Sequence, residues 1–284
     1  GDFSVVLVGT GSPNPAQDRA SASTLIQYKG NYFLVDMGKG AMDRLEEAGI
    51  GLGGIETLMF THHHRDHDAE YFDIAMQGWL KGRDHLNLIG TPGTKSMHEY
   101  FTSFYKEDME YRASKKRNWS WDGMITNVDL KELEGDNSFE LCGVEITTTE
   151  VPHSIYTLAY RFDVDGESIV ISGDLTYSEN LIKLAKSADI LVMDSGVVIK
   201  KTPFSSNESK AQNGKRRKQS QDDENKGHAS LEEVATMAQK AGVKKLVLTH
   251  IGGNIDEEAE IEAIKEIYTE GEVIVGYDLL QVTP

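Results

Sequence analysis

The stretch Thr61-His62-His63-His64-Arg65-Asp66-His67 decides the fold of this chain. It follows directly on the apolar run 57–60, which predicts a short strand, and it leads into residues 67–79, which have helical composition. Four side chains in this stretch are of metal-ligand type: His62, His64, Asp66 and His67. Groups of this kind, crowded at one turn, would repel each other or lose hydrogen bonds without a shared partner. The pattern therefore indicates a metal centre.

Strand and turn geometry divide these four side chains into two pairs. Alternate residues of an extended chain point the same way, so His62 and His64 are predicted to share one metal ion. Asp66 and His67 fall on the turn into the helix and can face a second ion. His63 should point away from its two neighbours and is not predicted to be a ligand. Imidazole and carboxylate groups suit zinc, and also iron or manganese.

Three more candidate ligands stand where predicted strands end. His153, Asp174 and His250 each follow a short apolar run, and strand ends are common positions for site residues. A lone histidine at such a place is more often a packing or surface residue. These three residues are therefore predicted to be ligands only because the His-rich stretch at 62–67 already indicates a metal centre. His85 and His98 belong to no motif and are predicted to be structural or surface residues.

Length and patterning favour a layered α/β protein. The chain has 284 residues, of which 39% are hydrophobic and 26% charged, enough for one large domain or two intimate halves. Helices are predicted near 67–79 and 94–112, one strand near 138–151, and a final strand pair near 272–282. Both halves mix strands with helices, which predicts two sheets packed face to face with helices outside. No apolar stretch reaches the length of a transmembrane helix.

Charge and composition also bear on possible partners. The formal net charge is −17, and an acidic surface repels phosphate backbones, so nucleic acid is predicted to be an unlikely partner. The polar segment 200–227 holds eight basic and four acidic residues and is predicted to be a surface insertion. The single cysteine, Cys142, is predicted to be a small buried hydrophobe. Aromatic residues between 100 and 121 either wall an aryl pocket or pack a helix, and packing is favoured for at least half of them.

The order of these motifs resembles the metallo-β-lactamase superfamily. HxHxDH, a single His, Ser-Gly-Asp and a His after a strand follow one another over nearly the whole chain. The resemblance implies a single domain over residues 1–284, folded as an αββα four-layer sandwich and holding two metal ions, expected to be zinc. It also implies a ligand assignment: His62, His64 and His153 for the first ion, Asp66, His67 and His250 for the second, and Asp174 as the bridge.

Further motifs resemble the tRNase Z-like branch of that superfamily. They are GTGSPNP at 9–15, GTPGT at 90–94 and Gly227-His228-Ala229-Ser230, and within the branch the metal-dependent arylsulfatases are the most similar. By this resemblance His228 corresponds to a histidine beside the metals that is not a ligand. We expect it to stabilise the leaving oxygen or donate a proton to it. Asp66 is expected to orient the attacking hydroxide.

The resemblance implies a dinuclear hydrolase whose metal-bridging hydroxide attacks a small-molecule sulfate or phosphate ester. Alternatives are a phosphodiesterase or tRNase Z-like nuclease, a lactonase and, in another class, a non-catalytic metal-binding or sensor protein. Members that process tRNA carry a long arm between the counterparts of His153 and Asp174. Here 20 residues intervene and predict a tight hairpin, which argues against a tRNA substrate.

Location and assembly are expectations by analogy. A periplasmic or secreted location is favoured over a cytoplasmic one, from the arylsulfatase resemblance and because the sequence starts at Gly1 rather than Met, as after removal of a leader. Related enzymes are often dimers, so a homodimer is possible.

Overall fold

The computed structural model describes residues 2–14, 16–115, 120–202 and 227–284. The chain divides into two compact units. Unit 1 comprises residues 1–135 and 277–283, and unit 2 comprises residues 136–276 and Pro284. Each unit has its own seven-stranded mixed sheet. Most of the predicted insertion, residues 203–226, lies outside the described residues.

Unit 1 is built on a sheet in the order β14-β1-β2-β3-β4-β5-β6. Its strands are β1 Phe3–Gly9, β2 Ser23–Tyr28, β3 Asn31–Val35, β4 Thr57–Met59, β5 Leu86–Gly90, β6 Val128–Glu132 and β14 Leu280–Val282. Its helices are α1 Ala41–Glu47, α2 Arg65–Asp68, α3 Tyr71–Leu80, α4 Thr94–Phe104 and α5 Lys106–Ala113. The strands from β14 to β3 pair antiparallel, and those from β3 to β6 pair parallel.

Unit 2 has the same sequence of pairings in its sheet, ordered β13-β12-β11-β10-β9-β8-β7. Its strands are β7 Asn137–Leu141, β8 Val144–Val151, β9 Thr157–Val164, β10 Glu167–Ile171, β11 Ile190–Asp194, β12 Lys245–Thr249 and β13 Glu272–Val275. Its helices are α6 Glu179–Leu184, α7 Leu231–Ala241 and α8 Glu257–Lys265. Strands β7 to β10 pair antiparallel, and β10 to β13 pair parallel.

Each unit encloses its own hydrophobic core. In unit 1, Leu25, Leu34 and Leu58 from neighbouring strands are fully buried together with Trp79 and other residues of the helices. In unit 2, the buried strands β10 to β12 pack against helix α7, which begins with a capping box formed by Ser230 and Glu233. These cores hold the strand ends of each unit in fixed positions.

Three two-residue hairpin turns follow one rule. Lys29-Gly30, Cys142-Gly143 and Asp165-Gly166 have positive φ at both positions, the conformation that type I′ turns require and that matches the twist of the flanking strands. The hairpin of β9 and β10 is as tight as predicted. Cys142, however, is exposed in the turn between β7 and β8, so its predicted burial is wrong, and the strand predicted near 138–151 is two strands.

Other predicted elements are divided in the structure. The helix expected at 67–79 is broken before Tyr71, because the Glu70 N–H donates to Met37 O (2.9 Å) and not to a carbonyl of the same helix. The helix expected at 94–112 is two helices that meet at Tyr105. The two final strands do not pair with each other, since β13 joins the sheet of unit 2 and β14 pairs with β1.

Among the described aromatic residues between 100 and 121, three stack on helix α3, and one of these three, Tyr105, is also 38% exposed. Phe101 and Tyr105 stack on Phe72 of α3, and Trp121 stacks on Trp79, which are packing roles. Tyr100, Phe104 and Tyr111 are exposed, and Trp119 lies outside the described residues. Within the described ranges, no helix has both the length and the apolar character needed to cross a membrane.

Candidate metal centre

The ligand-type side chains of unit 1 gather where two parallel strands end. Strand β4 leads into the loop that carries His62, His64, Asp66 and His67, and β3 ends just before Asp36. The ring of His62 lies 4.9 Å from that of His64 and 4.0 Å from that of His67, measured between centroids. Nε2 of His67 lies 3.3 Å from Oδ2 of Asp66. The four predicted ligands of this unit are therefore neighbours in space.

A buried hydrogen-bond network centred on Asp36 orients two of these histidines. Its carboxylate accepts from the Thr61 N–H (2.8 Å), from the Thr61 hydroxyl (2.7 Å) and from Nδ1 of His67 (2.7 Å). Since the Thr61 hydroxyl donates to Asp36, its oxygen accepts from Nδ1 of His62 at 2.9 Å. Both rings then carry their proton on Nδ1 and keep a lone pair on Nε2, the tautomer that binds a metal.

The remaining histidine of the loop points elsewhere, as the alternation predicted. Nε2 of His63 lies 2.7 Å from the Thr94 hydroxyl, and Nδ1 lies 3.2 Å from Oδ2 of Asp68. These contacts tie the loop to the start of α4. His98 is buried between Tyr71 and Met124 O, and His85 bonds to asparagine side chains. Each of these three histidines is thus hydrogen-bonded to groups other than the predicted ligands.

Unit 2 presents a second group of ligand-type side chains at its own strand ends. Asp174 follows β10, His250 follows β12, and His153 follows β8. Oδ2 of Asp174 lies 3.2 Å from Nε2 of His250 and 3.7 Å from Nε2 of His153. Nδ1 of His153 donates to Gly227 O at 2.7 Å, so its Nε2 again keeps a lone pair. All three side chains are largely buried.

His228 completes the group in unit 2 without contributing a predicted ligand. Its Nδ1 donates to Oδ2 of Asp194 (2.6 Å), the last residue of β11. Burial by itself lowers the pKa of His228, but the hydrogen bond and charge of Asp194, with the charge of Asp174, raise it above its ordinary value. The ring of His228 stacks on His250 with centroids 5.1 Å apart. His228 is thus held with one nitrogen on a carboxylate and the other directed away from it.

Three residues in or beside these networks have backbone conformations that are rare in proteins. His250 and Asp36 both have positive φ, a conformation that few residues other than glycine adopt and that is common at functional sites. Gly196 follows Asp194 with a φ of 62°, and a Cβ there would overlap the carbonyl oxygen of Ala229. Only glycine allows the chain after β11 to approach residues 228 and 229 this closely.

The donor sets fit zinc. Two ligands bonded to one tetrahedral zinc ion at 2.0–2.2 Å stand roughly 3.4 Å apart. The spacings of 3.2, 3.3 and 3.7 Å between imidazole nitrogen and carboxylate oxygen bracket that value. Imidazole and carboxylate are the donors that zinc uses in catalytic sites. The ring N–H of a zinc-bound histidine usually donates to a carboxylate or carbonyl oxygen, as it does here.

Two residues of these networks were missed in the sequence. Asp36 ends the apolar run 33–35, and Asp194 ends the apolar run 190–193. Each is an acidic residue at the end of a buried strand, the same signal that led to Asp174. A lone aspartate after a strand is common, however, and neither belongs to a spaced motif. Their role becomes visible only when their hydrogen-bond partners are known.

A comparison with models of protein families shows which family the chain belongs to. The model described as "Beta-lactamase superfamily domain" matches residues 31–251. The chain belongs to the metallo-β-lactamase superfamily. Ribonuclease Z of Mycobacterium bovis (strain BCG / Pasteur 1173P2) is 32% identical over 288 residues, covering 98% of this chain and 97% of the relative. Ribonuclease Z of Mycobacterium tuberculosis (strain ATCC 25618 / H37Rv) is 31% identical with the same coverage. These relatives place the chain in the tRNase Z-like branch.

Solved structures confirm the fold. The metallo-β-lactamase fold protein YhfI from Bacillus subtilis matches with a TM-score of 0.72 at 18% identity, covering 99% of both chains. The short form of human tRNase Z matches with a TM-score of 0.68 at 19% identity, covering 99% of this chain and 98% of the other. The predicted metallo-β-lactamase fold, an α/β fold with two mixed sheets, is therefore correct. Proteins of this fold normally bind metal ions, typically zinc, as in Zn²⁺-bound PqqB from Methylobacterium extorquens.

One prediction about partners is wrong. The acidic net charge predicted nucleic acid to be an unlikely partner, and the family resemblance predicted a small-molecule ester instead, yet the relatives reported above are ribonucleases by name. The physical reason is that net charge averages over the whole surface, whereas a substrate meets only the side chains around the site.

Proposed function

We propose that this chain is a metal-dependent phosphodiesterase that cleaves RNA with two zinc ions. The observation that carries the proposal is the pairing of a ribonuclease Z relationship over 98% of the chain with ligand-type side chains at zinc spacing in both units. The proposed ligands are those that the family resemblance implies: His62, His64, Asp66, His67, His153, Asp174 and His250.

The chemistry divides between the metals and the side chains. Bound zinc ions supply a water of lowered pKa and polarise the phosphoryl oxygens. Asp66 holds a proton of that water and so orients its lone pair toward phosphorus. His228, protonated with the support of Asp194, gives its Nε2 proton to the departing oxygen of the scissile bond. Loss of this donor would leave a full negative charge on a poor leaving group.

A sulfate ester remains the second candidate substrate, and two features bear on it. The tight β9–β10 hairpin leaves no room for a long tRNA-binding arm between the positions of His153 and Asp174, which favours RNA without a large folded body. Against an aryl ester, the cavity beside Asp66 has no aromatic side chain among its described lining residues. We therefore place RNA phosphodiesters first.

The test is a direct comparison of substrates on zinc-loaded protein. Elemental analysis is expected to find about two zinc ions per chain. The loaded protein should cleave a short RNA and bis(4-nitrophenyl) phosphate, and it should not cleave 4-nitrophenyl sulfate. A chelator should abolish cleavage, and added zinc should restore it.

A matched pair of variants in the ligand loop sharpens the test. Asp66→Asn should reduce cleavage by at least about a thousandfold, since it removes both a ligand and the group that orients water. Asp68→Asn, two residues away and bonded to His63 instead, should retain cleavage within about threefold. Hydrolysis of the sulfate ester without cleavage of RNA would show that the substrate is a sulfate ester and not RNA. Cleavage that persists in a chelator would refute the metal-dependent proposal.

A further inference from the structure

A cavity of about 670 Å³ lies within unit 1 beside the ligand loop. It is bordered by residues 13 and 16–21, by the start of α1 and by α2, and Asp66 forms part of its wall. The lining residues that carry charge are Arg19, Lys39, Asp43, Arg44, Arg65 and Asp66. The cavity therefore adjoins a residue that we assign to catalysis.

The charge of this cavity is opposite to that of the chain. Four of its six charged residues are basic, whereas the whole chain has 29 basic and 46 acidic residues. Arg44 is neutralised by Asp278 and Glu47. Lys39 and Arg65 are exposed and form no ion pair with the residues that the structure describes. Two cations are thus available at the cavity for an anion from solution.

The wall of the cavity is held by one carboxylate. Asp278 accepts hydrogen bonds from the N–H and the hydroxyl of Thr10 (2.9 and 2.7 Å), from the Ala20 N–H (2.6 Å) and from Nε of Arg44 (2.9 Å). Arg19 donates back to the Thr10 hydroxyl at 2.9 Å. Both ends of the loop 10–20 are therefore fixed, and Arg19 is oriented before any ligand arrives.

The segment that carries Lys39 is anchored in a similar way. The carboxylate of Glu70 accepts from the N–H groups of Gly40 (2.8 Å) and Met42 (3.0 Å). Gly38 packs so closely against the carbonyl oxygen of Asp66 that a Cβ would overlap it. Lys39 thus stands on backbone that is fixed to the ligand loop, and its position relative to Asp66 is set by the fold.

We propose that this cavity binds a second phosphate of the RNA substrate, on the nucleotide next to the scissile bond, through Lys39 and Arg65. The inference rests on the proposed function. Arg65 and Asp66 line the same cavity, so a phosphate held there by Arg65 shares that cavity with the group that reacts at Asp66. A guanidinium binds two phosphate oxygens at once, and an ammonium adds a point charge. The site therefore favours substrates with more than one phosphate.

The experiment compares UpU, which has one phosphodiester, with UpUpU, in which either cleavage leaves a neighbouring phosphate. On zinc-loaded protein, kcat/KM for UpUpU should exceed that for UpU by about tenfold, and the excess should shrink as salt increases. Arg65→Ala and Lys39→Ala should each reduce the ratio to about twofold to threefold. Lys81→Ala, an exposed lysine of the same unit outside the cavity, should leave the ratio unchanged.

Binding to the full-length protein in a chelator provides a readout that does not require turnover. UpUpU should bind about tenfold more tightly than UpU, and Arg65→Ala should remove most of that difference. If neither RNA is cleaved but this binding pattern holds, the phosphate site stands and the proposed function fails. If Arg65→Ala and Lys39→Ala keep the wild-type preference in both assays, or the wild-type protein shows no preference in binding, the phosphate site is refuted.

Discussion

Nδ1 of His228 donates a hydrogen bond of 2.6 Å to Oδ2 of Asp194, although 34 positions separate the two residues. Asp194 is 2% exposed, and its carboxylate also accepts from the N–H groups of Leu175 and Gly196. These two backbone donors hold the carboxylate in place beside the imidazole. The His228 ring is therefore held with Nδ1 on Asp194, and Nε2 is the atom that meets a substrate and that carries the second proton when the ring is protonated.

Replacing His228 should affect substrates according to their leaving groups. His228→Ala should lower kcat for an RNA by about a hundredfold or more, because the departing ribose oxygen needs a proton. The same variant should lower kcat for bis(4-nitrophenyl) phosphate by less than about threefold, since nitrophenolate leaves without one. Steady-state rates on both substrates measure the effect. Equal losses on the two substrates, or a loss of zinc, would contradict the role of proton donor.

Removing Asp36 should weaken metal binding without removing a proposed ligand. Asp36→Ala deprives His67 of its acceptor and frees Thr61, so zinc affinity should fall by about tenfold to a hundredfold. Competition with a chromophoric chelator measures the affinity. His63→Gln, in the same loop but bonded to Thr94, should keep wild-type affinity. Unchanged affinity in Asp36→Ala would mean that the network does not support the metal.

Glu260 should make stability depend on pH. Burial raises its pKa from 4.5 to about 7, against the opposing effect of the Ile199 N–H bonded to Oε2 at 2.8 Å, and Oε1 has no hydrogen-bond partner among the described residues. Since the folded state holds this proton more tightly than the unfolded state, stability is lost as pH rises from 4.5 to about 7. At about 1.4 kcal/mol per pKa unit, the loss is on the order of 3 kcal/mol.

Glu260→Gln cannot ionise and should remove that dependence. Its free energy of unfolding, relative to wild type, should rise between pH 5.5 and pH 8 by about 1–3 kcal/mol in urea titrations. The control is Glu262→Gln on the exposed side of α8, which should change stability by less than about 0.5 kcal/mol at either pH. A constant difference between Glu260→Gln and wild type across this range would show that Glu260 does not titrate there.

Asp278 should be a major contributor to the stability of unit 1. Asp278→Ala leaves four donors without their acceptor and should lower the free energy of unfolding by about 2–4 kcal/mol. Glu47→Ala removes the other, exposed partner of the same arginine and should cost less than about 1 kcal/mol. Urea unfolding of both variants tests this contrast. Similar small losses in both would show that the loop 10–20 is held by other contacts.

The candidate ligands could be proposed from the sequence because their signals are local. Side-chain chemistry is a property of each residue, and alternation along a strand decides which of His62, His63 and His64 share a direction. The hairpin at Asp165-Gly166 is local in the same sense, since two residues with positive φ suffice to reverse the chain. Cys142-Gly143 was missed because cysteine is not a characteristic residue of such turns.

The tertiary structure alone decided what surrounds those residues. Asp36 lies 25 positions from Thr61, and Lys39 meets Arg65 at one cavity only because β3 and β4 pair in parallel and end side by side. Net charge, which sums over every side chain, concealed this basic cavity in an acidic chain. The sequence by itself determined which side chains have the donor chemistry that a metal site requires. Their acceptors, tautomers and neighbouring charges arise from contacts between distant segments, which no local pattern encodes.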